Sequence, residues 1–175
     1  KRQTALQAII KDLRYTSPDL IFRGGDLADS GSSPAEVVDQ IRDLGWPGVM
    51  GNADEMYTRP ESLNEFARQS SAPASIWTAL EEMAAATRTM LGEDRISWMR
   101  SLPRIQLHGS MAVLHASPES VWRSPGSEAT DAQLEHTYAP LGKELVVFGH
   151  IHRPFVRRFC SVDCELTVAN TGSVS

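Results

Sequence analysis

Apolar residues recur first at helical and later at strand spacing along this chain. Leu6, Ile9, Ile10 and Leu13 fall three and four apart, which predicts an amphipathic helix over residues 3–15. Residues 19–23 form a short apolar run of the kind a buried strand shows. Pro34 opens a second helix with Val37, Val38, Ile41 and Leu44 on its inner face, Gly45 stops it, and residues 47–50 read as the next strand. Strand alternating with helix predicts a largely parallel sheet. Residues 61–102 read as helical. Ile76, Leu80, Met83, Ala84, Thr87, Met90 and Leu91 form one stripe, Gly92 breaks it, and a shorter helix over 93–102 stops at Pro103. Beyond 104 the pattern becomes strand-like. Residues 104–107 and 111–114 flank His108-Gly109-Ser110 as a hairpin, and a short helix near 129–137 follows. Three further strands are expected at 144–148, 155–159 and 165–169, the last two paired. A parallel first half and a hairpin-rich second half predict two sheets packed together with helices outside. No internal repeat, low-complexity tract or linker divides the chain.

Composition narrows the picture. The 175 residues fit one domain with a real core, and 41% hydrophobic with 22% charged residues is ordinary for a soluble globular protein. No stretch approaches the roughly 20 apolar residues of a membrane span, and no secretory signal opens the sequence. A cytoplasmic location is therefore expected, with no membrane partner. A net charge of −5 counts against nucleic acid as the partner. Oligomeric state, including a homo-oligomer, is not readable. The only cysteines, Cys160 and Cys164, flank a short polar turn. They cannot be a disulfide framework, and two free thiols are favoured over a cross-hairpin bridge.

The chemistry lies where apolar runs end. In open α/β sheets, sites lie beyond the carboxyl ends of strands. Here Leu20-Ile21-Phe22 leads to Gly25-Asp26, Val49-Met50 to Gly51-Asn52, the run 111–114 to His115, and the run 145–148 to Gly149-His150-Ile151-His152. Each is ambiguous alone. Asp26 and Asp29 could merely cap a turn, and Gly51-Asn52-Ala53-Asp54 is ordinary turn chemistry. A lone histidine such as His115 is commonly structural. His150 and His152, two apart in an extended segment, would point to one face. Four such ends carrying oxygen and imidazole donors together point to a metal site. That donor set, without thiolate, suits manganese, iron or zinc better than calcium.

In order, the segments are Gly25-Asp26-Leu27-Ala28-Asp29, Gly51-Asn52-x-Asp54, His115-Ala116-Ser117-Pro118, Gly149-His150-Ile151-His152 and Asn170-Thr171-Gly172-Ser173-Val174. This series closely resembles the calcineurin-like metallophosphoesterase superfamily, in particular its small bacterial phosphoesterases, and it runs the length of the chain. The resemblance implies a four-layer α/β/β/α sandwich of two mixed sheets flanked by helices, with two divalent metal ions at one edge. It implies that Asp26 bridges the two metals, that Asn52, His115 and His150 complete one shell, and that His152 serves the other. Asp29 and Asp54 are expected behind the ligands, and residues 170–174 close a turn nearby. The implied activity is hydrolysis of a small phosphorylated substrate (a phosphodiester, phosphomonoester or phosphoanhydride) by a hydroxide held between the metals.

Three departures accompany the resemblance. The family's opening Asp-x-His motif is not in this sequence; because the helix over 3–15 matches the one that follows that motif, the pair is expected immediately before Lys1, making this an N-terminally incomplete domain. The usual Gly-Asn-His-Asp reads Gly-Asn-Ala-Asp, with Ala53 in place of a histidine. An arginine common after the second aspartate is Ser30. The alternatives are a metal-binding scaffold or regulator without turnover and, with less support from the charge, a nuclease. His108 and His136 are expected at the surface. Arg123, Arg153, Arg157 and Arg158 could contact phosphate, although adjacent Arg157 and Arg158 must face opposite ways. Trp77 and Trp122 fit either a substrate pocket or packing.

Overall fold

The computed structural model describes residues 2–28, 31–160 and 165–174. Among these residues there are six α-helices: α1 (Arg2–Thr16), α2 (Pro34–Leu44), α3 (Asn52–Thr58), α4 (Glu61–Ala67), α5 (Ala74–Arg100) and α6 (Asp131–Tyr138). Five strands, β1 (Ile105–His108), β2 (Met111–Leu114), β3 (Leu145–Phe148), β4 (Phe155–Cys160) and β5 (Glu165–Asn170), form one mixed sheet in the order β1-β2-β3-β5-β4.

The sheet register places the polar ends side by side. Strands β2, β3 and β5 are parallel, with Leu114 opposite Phe148 and Phe148 opposite Asn170. The next residue of β2 is therefore His115, and the next of β3 is Gly149, whose N–H donates to the His115 carbonyl at 2.9 Å. The outer pairs, β1 with β2 and β4 with β5, are antiparallel. Alternation sends Ala112, Leu114, Val146, Phe148, Leu166 and Val168 into a core closed by Leu134 and Tyr138 of α6. The Tyr138 hydroxyl donates to the Ala116 carbonyl at 2.7 Å, fixing the chain just past His115.

A second core joins the helices. Val37, Val38 and Ile41 of α2 meet Tyr57 of α3, Leu63 of α4 and Leu91, Ile96 and Met99 of α5. Pro34 starts α2, and Gly45 ends it at φ 63°, a left-handed cap that glycine adopts without strain. Arg95 grips Asp39 through two bonds, Nε at 2.9 Å and Nη2 at 2.5 Å, tying α5 to α2.

Several expectations change. The first-half sheet reduces to a single parallel bridge, Arg23 to Gly48. Pro47 has no N–H to extend a ladder, and two short parallel segments are marginal by themselves. The mixed α/β class is as expected, and among the described residues the strands form one five-stranded sheet beside the Arg23–Gly48 bridge. The segment Gly51-Asn52-Ala53-Asp54, ordinary turn chemistry by sequence, opens the helix α3. The expected break in the middle section is present: α5 is two helical stretches meeting at Gly92, whose φ 71° and ψ 162° are not helical. Its apolar stripe is narrower than expected, with Ala84, Thr87 and Leu91 buried but Ile76 and Met90 about half exposed at 47% and 48%. The stripe of α1 is only half-buried, because Leu6, Ile9 and Leu13 face a cleft of 530 Å³ shared with Val37, Ile41, Val113 and Val147. No helix among the described residues is long and apolar enough to cross a membrane.

Candidate metal centre

Two backbone loops approach each other closely at the first two polar ends. Gly25 has φ 91°, and a Cβ there would lie 2.6 Å from the Gly51 nitrogen. Gly51 is as constrained, since its Cβ would lie 2.2 Å from Asp26 Oδ1. Only glycine permits this approach at either position. Gly51→Ala is accordingly expected to push the loops apart, costing about 1–3 kcal/mol of stability and weakening divalent-metal binding; thermal melts and Mn(II) titration read both.

Four candidate ligands converge across these loops. Asn52 is the first residue of α3, and its Oδ1 lies 2.9 Å from His115 Nε2 and 3.0 Å from His150 Nδ1. The two imidazole nitrogens are 3.3 Å apart. Asp26 Oδ2 is 3.5 Å from His115 Nε2, while its Oδ1 accepts the Ala53 N–H at 2.9 Å. A cation holding oxygen and nitrogen at about 2.1 Å sets neighbouring ligand atoms about 3.0–3.4 Å apart. The observed separations of 2.9–3.5 Å match the edges of such a shell.

The protonation pattern leads to the same reading. The Gly24 carbonyl, 2.7 Å from His115 Nδ1, can only accept, so Nδ1 carries the proton and Nε2 presents a lone pair. Burial lowers the His115 pKa, and burial together with the charges of His115 and His152 takes His150 down to about 4. Both rings are neutral at pH 7. The neutral His115 ring therefore turns a lone pair, not a proton, toward Asn52, His150 and Asp26. That donor set fits a cation.

Backbone strain marks the same residues. Only three non-glycine residues among those described have positive φ, and two are Asp26 at 56° and His150 at 60°. Such strain persists where surrounding bonds over-determine it, and it concentrates at functional sites. Asn170, buried at 3% exposure, donates to the Gly149 carbonyl and accepts the Gly172 N–H at 2.8 Å, holding the loop that turns at His150. Asp54, fully buried, accepts the N–H groups of Asp26, Leu27 and Gly51. Burial and the neighbouring Asp26 raise its pKa to about 6, against the pull of its amide donors.

His150 has a left-handed backbone at φ 60°, so residues 150–152 are not a continuous extended segment. His150 turns inward, and His152 stays exposed, near enough that its charge bears on both other rings. Carboxylates, thiolates and imidazoles alone supply no group of three able to hold a metal ion among the described residues; the Asn52 amide oxygen joins the cluster. Asp29, Ser30 and Cys164 lie outside the described residues, and Cys160 is an exposed free thiol. Ala53 is buried at 3% exposure within the helical core. His108 and His136 are exposed, as expected. The four arginines have protein partners: Gln69 for Arg123, Glu128 for Arg153, Asp131 for Arg157 and Glu165 for Arg158. Trp77 and Trp122 pack on Phe66, and Trp122 Nε1 donates to Glu55. Asp54, expected behind the ligands, sits three residues after Gly51 at the start of α3 and bonds both loops.

Lowered imidazole pKa values make stability depend on pH. Between pH 6.5 and about 4 the unfolded chain binds a proton at His150 that the folded chain refuses, and the lowered pKa of His115 acts in the same direction. Asp54 acts oppositely, since its raised pKa favours a proton in the folded chain between about 6 and 4. Two imidazoles outweigh one carboxyl, so the metal-free protein should lose stability on acidification through this window. Thermal melts in chelator should show Tm falling from pH 7 to 4.5, and His150→Gln should shrink the fall.

The model for calcineurin-like phosphoesterases matches residues 2–154. An uncharacterized protein of Methanocaldococcus jannaschii is 28% identical over 158 residues, covering 87% of this chain. This chain spans 58% of that relative's length. A metallophosphoesterase crystal structure from Sphaerobacter thermophilus superposes with a TM-score of 0.72 at 22% identity, covering 98% of this chain and 72% of that one. A hypothetical protein of Pyrococcus horikoshii OT3 gives 0.77 at 16% identity, covering 98% and 71%. At these identities the two structures establish a shared fold.

Proposed function

The chain belongs to the calcineurin-like phosphoesterase family, and from that premise we propose that it hydrolyses a phosphoester with divalent metal held by Asp26, Asn52, His115 and His150. The observation that carries the proposal is the convergence of Asp26, Asn52, His115 and His150, with neighbouring ligand atoms 2.9–3.5 Å apart and a lone pair of His115 turned into the cluster. When bound, a pair of such cations (manganese, iron or zinc) polarises phosphate oxygens and lowers the pKa of a water for attack on phosphorus.

The chain's own residues supply the frame. Asp26 offers a carboxylate at the junction of both loops, one oxygen pinned by the Ala53 N–H and the other facing His115. In this reading Asp26 would serve both cations. His115 is locked in one tautomer by the Gly24 carbonyl, so its lone pair is available without rearrangement. Asn52 adds a neutral oxygen and limits the negative charge of the set. His152, exposed beside His150, is assigned to the second cation. Position 53 offers only a buried methyl, so no side chain there protonates a leaving group.

Turnover of aryl phosphodiesters, phosphomonoesters and dinucleoside polyphosphates in Mn(II), with and without chelator, tests the proposal. Hydrolysis abolished by chelator and restored by Mn(II) is expected. The scaffold reading is favoured by one observation, a buried Ala53 where the family's motif carries a histidine. Mn(II) bound without turnover of any substrate would establish it instead.

A further inference from the structure

We propose that Asp54 is the positioning residue of the metal centre: its buried carboxylate clamps the Asp26 loop to the Asn52 loop and presets both ligands before metal arrives. The inference rests on the metal-centre reading above.

Asp54 has no exposed surface. Its Oδ1 accepts from the Leu27 N–H at 2.9 Å. Its Oδ2 accepts from Asp26 and Gly51, each at 2.9 Å. All three donors are backbone amides, and they belong to two loops about 25 residues apart in sequence. Asp26 and Leu27 carry one candidate ligand, and Gly51 immediately precedes another. The Gly51 bond is also half of a capping box, so the carboxylate that starts α3 holds Asn52 at its first position.

The residue type follows from the donor count. Three N–H groups need acceptors on two oxygens, and only an ionised carboxylate has two oxygens and no donor. An asparagine would turn its NH₂ toward either Leu27 or the Asp26–Gly51 pair. Arg23, whose charge bears on Asp54, supplies nearby compensation for the buried anion. The left-handed backbone of Asp26, at φ 56°, is held on both sides: its own N–H by Asp54 and its Oδ1 by Ala53. Asp54 thus acts on the metal through Asp26 and Asn52.

The test is Mn(II) affinity of the full chain, measured by calorimetry beside thermal melts in chelator. Asp54→Asn should raise the Kd about 10–100-fold, the range for groups that orient ligands. Leu63→Ala, a core deletion away from the loops, is the control. It should lower Tm at least as much while leaving Kd within about twofold. Asp54→Asn weakening Mn(II) no more than Leu63→Ala would overturn the proposal. If Asp54→Asn does not fold, hydrogen exchange in the unaltered metal-free chain decides. The amides of Asp26, Leu27 and Gly51 should exchange slowly, and exchange at open-loop rates would overturn the clamp. An unaltered chain that binds no Mn(II) would overturn the metal reading itself, a result distinct from either of these.

Discussion

Asp26→Asn is expected to remove metal binding and hydrolysis together, the largest loss from any single substitution. Asparagine tolerates the left-handed backbone at φ 56° and keeps an oxygen for the Ala53 N–H, so the loop should survive. What disappears is the charge facing His115 and the second oxygen for a neighbouring cation. Altering groups behind the ligands costs about 10–100-fold in metal affinity, and losing the only carboxylate among the four converging ligands should exceed the upper end. Asn52→Ala removes a neutral donor and should cost less. Calorimetry with Mn(II) and kcat/KM on an aryl phosphodiester read both effects. Parent-like affinity and rate in Asp26→Asn would contradict the assignment.

The second large effect concerns the leaving group. General acid help is typically worth about 10²–10⁴-fold. An aryl oxide or a phosphate departs without it, whereas an alkoxide does not. Residue 53 is alanine, and His115 and His150 are committed to the cluster. Aryl phosphodiesters and phosphoanhydrides should therefore outpace alkyl phosphomonoesters by about that factor. A plot of log(kcat/KM) against leaving-group pKa should be steep. A flat plot that persists under single-turnover conditions would contradict it. Ala53→His would not repair the deficiency, because position 53 lies in the core between α3 and its neighbours, where a larger side chain overpacks.

The sequence revealed the second half of the fold best. The strands about 145–148, 155–160 and 165–170 combine apolar alternation with clear turn residues, and their register follows. The first half was harder. The run 19–23 has strand composition, but pairing is decided by a partner's backbone groups, which composition does not record, and Pro47 withholds one. In the site, Asp26, Asn52, His115 and His150 were legible because each follows an apolar run. For His150 and His152, a two-residue spacing implies one face only in extended backbone, and His150 has φ 60° in a loop held by the distant Asn170. The burial of Ala53 was equally hidden, since a neutral methyl gives no periodic signal inside a seven-residue helix.

Anomalous diffraction from crystals of the full chain soaked in Mn(II) tests the central claim most directly. The account expects a peak about 2.1 Å from Asp26 Oδ2, Asn52 Oδ1 and one nitrogen each of His115 and His150. A peak elsewhere, or none at saturating Mn(II), would contradict it.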